Sequence, residues 1–162
     1  MKTRVYALLI VDPHPDSREM YAEFLRHYGL AVVAVDNADD ALAEAPDADV
    51  IVTGILLCGE TDGVELVRRL RADGRTAKTP IIVLTACAMQ PQRDLAEQAG
   101  CDAFLAKPCL PDVLYREVRR QLALSQAVRQ RTRGAPLKAD VLTERSRRLA
   151  DKNRRVADKK AG

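Results

Sequence analysis

Four short apolar runs in this chain each end in a residue that matters for chemistry. Asp12, Thr85 and Lys107 follow such runs and supply a carboxylate, a hydroxyl and an ammonium group. Gly54 follows the run Val50-Ile51-Val52-Thr53 and supplies no side chain at all. In an open α/β sheet, the carboxyl ends of the parallel strands meet at one edge, and ligands bind there. The pattern therefore predicts a polar pocket at this edge in which the central strand contributes only backbone.

The elements that must position these residues alternate along the chain. Short runs rich in β-branched residues indicate strands buried on both faces, and the segments between them have helical spacing of apolar residues. Such alternation predicts a doubly wound parallel sheet with helices on both faces. Strands are predicted over residues 5–11, 31–35, 49–53, 81–85 and 103–106, and helices are predicted to start near Pro15, Ala38, Asp62, Pro91 and Pro111.

Composition limits the class of protein. The 162 residues are 47% apolar and 30% charged, which suits a globular domain with a core and a short appendage. Apolar runs stay far below the roughly 20 residues that a membrane span needs, and the first residues lack a signal-peptide pattern, so we expect a cytoplasmic protein. The four cysteines form no C-x-x-C pair, so neither a zinc site nor a disulfide framework is indicated.

The charge is distributed unevenly, although the net charge is only +3. Residues 125–162 carry twelve Lys or Arg and four Asp or Glu, a net +8, whereas residues 1–124 carry a net −5. We therefore predict a domain over residues 1–124 and a basic tail over residues 125–162. Leu142, Leu149 and Val156 repeat every seven residues without a second apolar seam, which favours a solvated, partly helical or disordered tail over a coiled coil.

Four segments, in order, resemble the receiver domains of two-component response regulators. The resemblance covers about residues 4–124. It implies a flavodoxin-like fold with five strands in the order 2-1-3-4-5 and a role in phosphorelay signal transduction. The segments are Leu8-Leu9-Ile10-Val11-Asp12 with Pro15-Asp16-Ser17-Arg18-Glu19, then Cys58-Gly59-Glu60-Thr61-Asp62-Gly63, Pro80-Ile81-Ile82-Val83-Leu84-Thr85-Ala86, and Gly100-Cys101-Asp102-Ala103-Phe104-Leu105-Ala106-Lys107-Pro108.

The resemblance also assigns roles around the predicted pocket. In that family an aspartate accepts a phosphoryl group from a kinase phosphohistidine, and Mg²⁺ held by acids offsets the charge. Thr85 and Lys107 match the hydroxyl and ammonium that hold the phosphoryl oxygens, and Asp12 matches the first metal-binding acid. Pro13 falls on the second acid and Gly54 falls on the phosphoacceptor. Three clustered carboxylates are thus reduced to one.

These replacements predict a pocket without transfer chemistry. Glycine has no nucleophile, so no acyl phosphate forms at residue 54 and we assign no catalytic residue and no enzyme activity. Asp12 with the carbonyl of Leu56 makes a poor Mg²⁺ site, so we expect weak or absent metal binding and no cofactor. Lys107 and Asp12 are left to pair with each other, and we predict a direct or water-bridged contact between them.

Four other residues near the predicted pocket are candidates for accepting a phosphoryl group. Asp16, Glu60 and Asp62 lie on nearby loops, but the first and last suit helix starts and the second suits a solvated loop. His14 is a phosphoacceptor by chemistry alone, and an exposed loop histidine is the more ordinary interpretation. None of these is expected to reach in-line geometry, which tolerates about an ångström of error.

Two further uses of the pocket stay open as alternatives. Lys107, Thr85 and loop amides could hold an anion, against a water-filled or collapsed remnant. Cys58, Cys87 and Cys109 follow strands on the same edge, and a thiol near Lys107 with a lowered pKa could sense oxidants, against a role as buried apolar filler.

We interpret the chain as an atypical receiver, a pseudo-receiver, that acts by protein–protein binding without phosphorylation. The expected partner is a sensor kinase or a downstream effector; a homodimer is left open, and no membrane is involved. Nucleic-acid association through the basic tail is an alternative, not the favoured one. The resemblance implies a binding face on the fourth helix, fifth strand and fifth helix, with Phe104 as its switch aromatic; here the face comprises Gln98, Phe104, Asp112, Tyr115 and Arg119.

Overall fold

A five-stranded, all-parallel sheet in the order 2-1-3-4-5 forms the centre of the molecule. The structure is a computed structural model and describes residues 4–131 and 146–148. The predicted doubly wound, flavodoxin-like architecture is confirmed. In chain order the elements are β1 Ala7–Val11, α1 Pro15–His27, β2 Ala31–Val35, α2 Ala38–Glu44, a short 3-10 helix Ala45–Asp47, β3 Val50–Thr53, α3 Gly63–Ala72, β4 Ile81–Thr85, α4 Gln90–Ala99, β5 Ala103–Ala106 and α5 Pro111–Arg131.

The strands are apolar throughout because both faces of the sheet are covered. Alternate strand residues, such as Leu9 and Ile51, pack with α2, α3 and α4 on one face. Their neighbours, such as Leu8 and Val52, pack with α1 and α5 on the other face. Every residue of β1, β3 and β4 is buried, so the three central strands form a rigid base beneath the carboxyl edge.

Helix starts follow the sequence signals closely. Pro15 occupies the first turn of α1, where a missing N–H costs nothing. The side chains of Asn37 and Asp62 cap α2 and α3 by accepting the N–H groups of Asp40 and Glu65, each at 2.9 Å. These caps place the helix starts next to the strand ends that they follow.

Two boundaries differ from the predicted ones. The first strand begins at Ala7, not at residue 5, and Val5 is 45% exposed. The reason is that the pairing of β1 with β2 begins at Ala7, which pairs with Ala31. The predicted domain boundary at residue 124 falls inside α5, which continues to Arg131 because no glycine or proline interrupts residues 123–131.

Candidate functional site

A small, open cavity of about 50 Å³ lies at the carboxyl edge of the sheet, where the sequence predicted a pocket. It forms where the loops after β1, β3, β4 and β5 meet above the three central strands. All five residues of the predicted pocket line it. The complete lining is Asp12, Pro13, His14, Gly54, Leu56, Leu84, Thr85, Ala86, Cys87 and Lys107.

Asp12 is the one acid of this lining, and both of its carboxylate oxygens have partners. Oδ1 accepts the backbone N–H of His14 at 2.9 Å. Oδ2 accepts the Ser17 hydroxyl at 2.8 Å and the Lys107 ammonium at 2.5 Å. Because the Asp12 side chain is only 5% exposed, these partners replace nearly all of its hydration. The carboxylate is therefore a neutralised, hydrogen-bonded group with little capacity for a further ligand.

Lys107 forms the other half of the ion pair, and its side chain is 18% exposed. Its Nζ also donates to the Ser17 hydroxyl at 2.9 Å, so the three side chains form a closed triangle. The predicted direct contact between Lys107 and Asp12 is confirmed. Burial alone would raise the pKa of Asp12, but the hydrogen bonds from Lys107, the His14 N–H and Ser17 outweigh burial, so the pKa is lowered.

Gly54 presents only backbone to the cavity, yet nothing in its geometry requires glycine. Its φ is not in the left-handed region. A Cβ added to it would meet the carbonyl oxygens of Leu56 and Leu84 at 3.6 and 3.7 Å, which is ordinary van der Waals contact. Gly63 is different, because a Cβ there would lie 1.8 Å from the Gly54 oxygen. A Cβ atom thus fits at position 54, whereas the close approach of α3 to this loop needs glycine at position 63.

The family that the sequence resembles binds Mg²⁺ at this edge of the sheet. The oxygen atoms that line the cavity decide whether this chain offers suitable ligands for the ion. Mg²⁺ takes oxygen ligands and is bound through carboxylates that are free to coordinate it. Pro13 and Gly54 offer no side-chain oxygen, and both oxygens of Asp12 already accept hydrogen bonds. Within the described residues, no cluster of three or more His, Cys, Asp or Glu has metal-binding geometry. The residues present do not fit the ion.

Thr85 is the last residue of β4, and Phe104 lies within β5. The Thr85 hydroxyl accepts the N–H of Cys87 at 3.1 Å, which fixes the loop beyond β4. The guanidinium of Arg93, on α4, lies 5.0 Å from the centre of the Phe104 ring and donates to the Phe104 carbonyl at 3.2 Å. The aromatic is therefore held from the α4 side; its switching role stays a prediction.

The other acids considered as acceptors do not line the cavity. Asp16 is exposed in the first turn of α1 and Glu60 is exposed on its loop. Asp62 is exposed and caps α3 through the N–H of Glu65. His14 does line the cavity and is exposed, but its backbone N–H, not its ring, contacts Asp12.

The thiols do not show the arrangement that a Lys107-activated cysteine would need. Cys58 is exposed, so its interpretation as a buried filler was wrong, while Cys87 and Cys109 are half-buried. Burial raises the pKa of the Cys109 thiol, which is the opposite of activation. The Lys107 ammonium forms an ion pair with Asp12. This geometry therefore does not support the alternative in which Lys107 and Thr85 bind an anion.

The predicted binding face on α4, β5 and α5 stays a prediction, and the structure gives contacts for two of its residues. The Tyr115 ring packs against Tyr28 of α1, with ring centres 4.8 Å apart, and the Arg119 guanidinium lies 6.0 Å from the Tyr115 ring centre. These two residues therefore also border the α1 side of α5. Helix α4, which carries Gln98, packs on the opposite face of the sheet, with the edge strand β5 between the two helices.

Sequence reasoning missed two residues of the site, Ser17 and Arg18. Ser17 contributes the hydroxyl that joins Asp12 and Lys107, and Arg18 Nη1 donates to the Asp12 carbonyl at 2.8 Å. The available signal was position: both lie in the first turns of a helix that starts three residues after Asp12. A hydroxyl and a guanidinium there can reach back to the end of the strand.

Two other expectations concern regions away from the pocket. Among the residues that the structure describes, no helix combines the length and apolar character that crossing a membrane requires. The predicted heptad of Leu142, Leu149 and Val156 lies outside the described residues.

Comparison with known proteins gives the family. A sequence model of the response regulator receiver domain matches residues 8–119. The response regulator Rre1 of Synechocystis is 36% identical over 126 residues, which are 75% of this chain and 53% of Rre1. The chemotaxis protein CheY of Pseudomonas aeruginosa is 32% identical over 118 residues, covering 70% of this chain and 93% of CheY.

Solved structures agree with the sequence relatives. The receiver domain of the sensor histidine kinase PA1611 from Pseudomonas aeruginosa, with a magnesium ion coordinated in its active-site cleft, superimposes with a TM-score of 0.68 at 30% identity. The match covers 74% of this chain and 98% of that domain. Our chain spans about half the length of the curated regulators matched first. Receiver domains are signalling modules, not enzymes, and interact with sensor histidine kinases and downstream effectors. The chain belongs to the response regulator receiver domain family.

Proposed function

We propose that this receiver domain is a pseudo-receiver, which signals by protein binding and not by accepting a phosphoryl group. The observation that carries the proposal is the closed Asp12–Ser17–Lys107 triangle beside a glycine at position 54. The ammonium that should hold a phosphoryl oxygen is engaged by the remaining acid. The strand end that should supply the nucleophile supplies backbone only.

Charge balance explains why such a pocket is stable without a ligand. Where several carboxylates surround one lysine, the repulsion among them is relieved by a metal ion or by protonation. Here one carboxylate and one ammonium neutralise each other at 2.5 Å. The pocket therefore lacks the excess negative charge that attracts Mg²⁺, and metal binding is expected to be weak or absent.

The experiment is incubation with acetyl phosphate and Mg²⁺ followed by intact mass measurement. We expect the native chain to gain no phosphoryl group. A double variant, Pro13→Asp with Gly54→Asp, restores both lost acids, and a Cβ at position 54 meets its neighbours at ordinary contact distances. We expect this variant to gain a phosphoryl adduct that hydroxylamine removes, because hydroxylamine attacks an acyl phosphate at its carbonyl carbon and releases phosphate.

Gly54→Ala combined with Pro13→Ala is the matched control, since it adds the same Cβ atoms without carboxylates. It should remain unmodified. A phosphoryl adduct on the native chain at any residue lining the cavity would contradict the proposal.

Binding without phosphorylation has its own measurement. The α4–β5 surface, on which Gln98 is exposed and Phe104 contacts Arg93, is the part of the predicted binding face that the measurement follows. Amide hydrogen exchange over Gln90–Ala99 and Ala103–Ala106 should be the same with and without beryllofluoride and Mg²⁺. A protection change there on adding these reagents would indicate that the pocket still controls the surface.

A further inference from the structure

A second ionic cluster lies at the amino edge of the sheet, opposite the cavity. Its centre is Asp49, a carboxylate that is 2% exposed and directly precedes β3. Oδ2 accepts the N–H of Ala7 at 3.0 Å, while Oδ1 accepts Arg4 at 3.1 Å and Arg129 at 3.2 Å. Arg129 is in the part of α5 that extends beyond the predicted domain boundary. A buried carboxylate thus holds the start of the C-terminal segment against the sheet.

A second contact involves the described residues 146–148. The Ser146 hydroxyl donates to the carbonyl of Val32, in the outermost strand β2, at 3.0 Å. The same carbonyl accepts Arg26 Nη2 at 3.2 Å. Because β2 is an edge strand, its outward backbone groups need partners from outside the sheet. Ser146 supplies one of them.

The two contacts lie close together on the same edge. Val32 pairs with Leu8, and Leu8 pairs with Val50, the residue after Asp49. Val32 and Asp49 therefore lie two strands apart and at nearly the same position along the strand direction. The usual strand spacing puts them about 10 Å from each other. Residues 132–145, fourteen in number, connect them and can span that distance several times over.

Charge complementarity favours the same arrangement. Residues 132–162 carry ten Lys or Arg against four Asp or Glu, whereas residues 1–124 carry a net −5. Glu44 ends α2, and Asp47 ends the 3-10 helix that leads into β3. Acidic residues thus precede the strand beside which Arg129 is attached.

We propose that the amino edge of the sheet is an intramolecular docking site and that its occupant is the C-terminal segment of the same chain, residues 132–162. Arg129 and Ser146 attach this segment at β3 and β2. Both attachment points lie on the side of the sheet opposite the cavity. The inference is independent of whether the pocket accepts a phosphoryl group.

The test is zero-length cross-linking of the full-length chain with a carbodiimide, which joins lysine amines to neighbouring carboxylates. The lysines beyond residue 131 are Lys138, Lys152, Lys159 and Lys160. We expect them to link to Glu44 and Asp47 within one chain. Asp39, Asp40 and Asp62, exposed at the carboxyl edge, provide the internal reference and should be linked much less.

A matched pair of α5 variants tests the attachment. Arg129→Gln removes the contact with Asp49, which keeps Arg4 and the Ala7 N–H, so the sheet should stay folded. Arg120→Gln removes an exposed pair with Glu117 within the same helix. Arg129→Gln should reduce linking to Glu44 and Asp47 and speed amide exchange over residues 125–131 by about tenfold, as loss of one charge-assisted hydrogen bond implies. Arg120→Gln should do neither.

Three results would overturn the inference. One is an even distribution of cross-links over the two edges of the sheet. Another is linkage mainly between two chains, which would assign the edge to a second copy. The third is an equal effect of the two arginine variants.

Discussion

The ion pair between Lys107 and Asp12 predicts how removal of the Asp12 charge changes the free energy of unfolding. The predicted change has the opposite sign to the change expected for a cluster of acids. When several carboxylates share a pocket, neutralising one relieves repulsion and stabilises the fold. Asp12 is the one acid lining this cavity, and Lys107 balances it. We therefore expect Asp12→Asn, which keeps the shape and removes the charge, to destabilise the protein.

The contacts set the magnitude. In Lys107→Met the side-chain stem remains, but Asp12, only 5% exposed, keeps just Ser17 and the His14 N–H. A hydrogen bond to a charged group contributes about 1.5–3 kcal/mol, and breaking a fully buried pair costs about 3–5 kcal/mol. Because Lys107 retains some exposure, we expect each single variant to lose about 2 kcal/mol, with a coupling energy of similar size between the two sites.

The assay is urea unfolding of the native chain, both single variants and the double variant at pH 7. Lys78→Met, at an exposed lysine, is the matched control and should change the free energy of unfolding by less than about 0.5 kcal/mol. The m-value should stay constant across the set, since the exposed area on unfolding is unchanged.

A pH series gives an independent check. The pKa of Asp12 is lowered in the folded state, so its stabilisation is fully present above the ordinary value of 3.8 and is lost as pH falls through the folded-state pKa. The difference between the native chain and Lys107→Met should be largest near pH 7 and shrink as pH falls, because burial without Lys107 favours protonation of Asp12 and protonation removes the unpaired buried charge of the variant. A stabilising Asp12→Asn substitution, or a coupling energy near zero, would refute the reasoning.

Three further predictions use the same unfolding measurement. Gly63→Ala should cost about 3 kcal/mol or more, since its Cβ would meet the Gly54 carbonyl oxygen; an unchanged midpoint would contradict that contact. Arg71→Met should lower the free energy of unfolding by about 2 kcal/mol or more, because Arg71 donates to the Thr79 carbonyl at 2.6 Å and to Asp102 at 2.7 Å. A change as small as that of the control variant Lys78→Met would contradict this prediction. Asp62→Ala should cost about 1 kcal/mol through loss of the α3 cap, and Asp62→Asn should restore most of it.

Most of the fold could be predicted because local signals and the global pattern agree. Buried strands, proline and Asx helix starts, and alternation of strand with helix each indicate the same parallel sheet. The change of charge at residue 124 does not coincide with an interruption of the backbone, because residues 123–131 contain no helix breaker and belong to α5. The docking of Arg129 on Asp49 depends on residues 80 apart in sequence, which periodicity does not report.

The candidate site likewise contains residues whose positions could be predicted from the sequence and residues whose positions could not. Residues that directly follow strands, such as Asp12 and Lys107, could be placed together from topology alone, and even their contact could be anticipated from charge balance. Ser17 could not, because its role depends on how α1 is oriented after the loop. The contact of Tyr115 with Tyr28 could not be predicted for the same reason, because which side of a helix faces a neighbour depends on packing.

The two glycines beside the cavity distinguish a structural requirement from a chemical one. Gly63 is held within 2.6 Å of the Ile55 carbonyl through its N–H, and any Cβ would collide with Gly54. Gly54 has an ordinary backbone conformation and room for a Cβ atom. The backbone therefore requires glycine at position 63 but not at position 54. Packing around the Cα atom does not explain the glycine at position 54, and Lys107 balances the one acid that lines the cavity. Both observations support the proposal of a pocket that signals without a phosphoryl group.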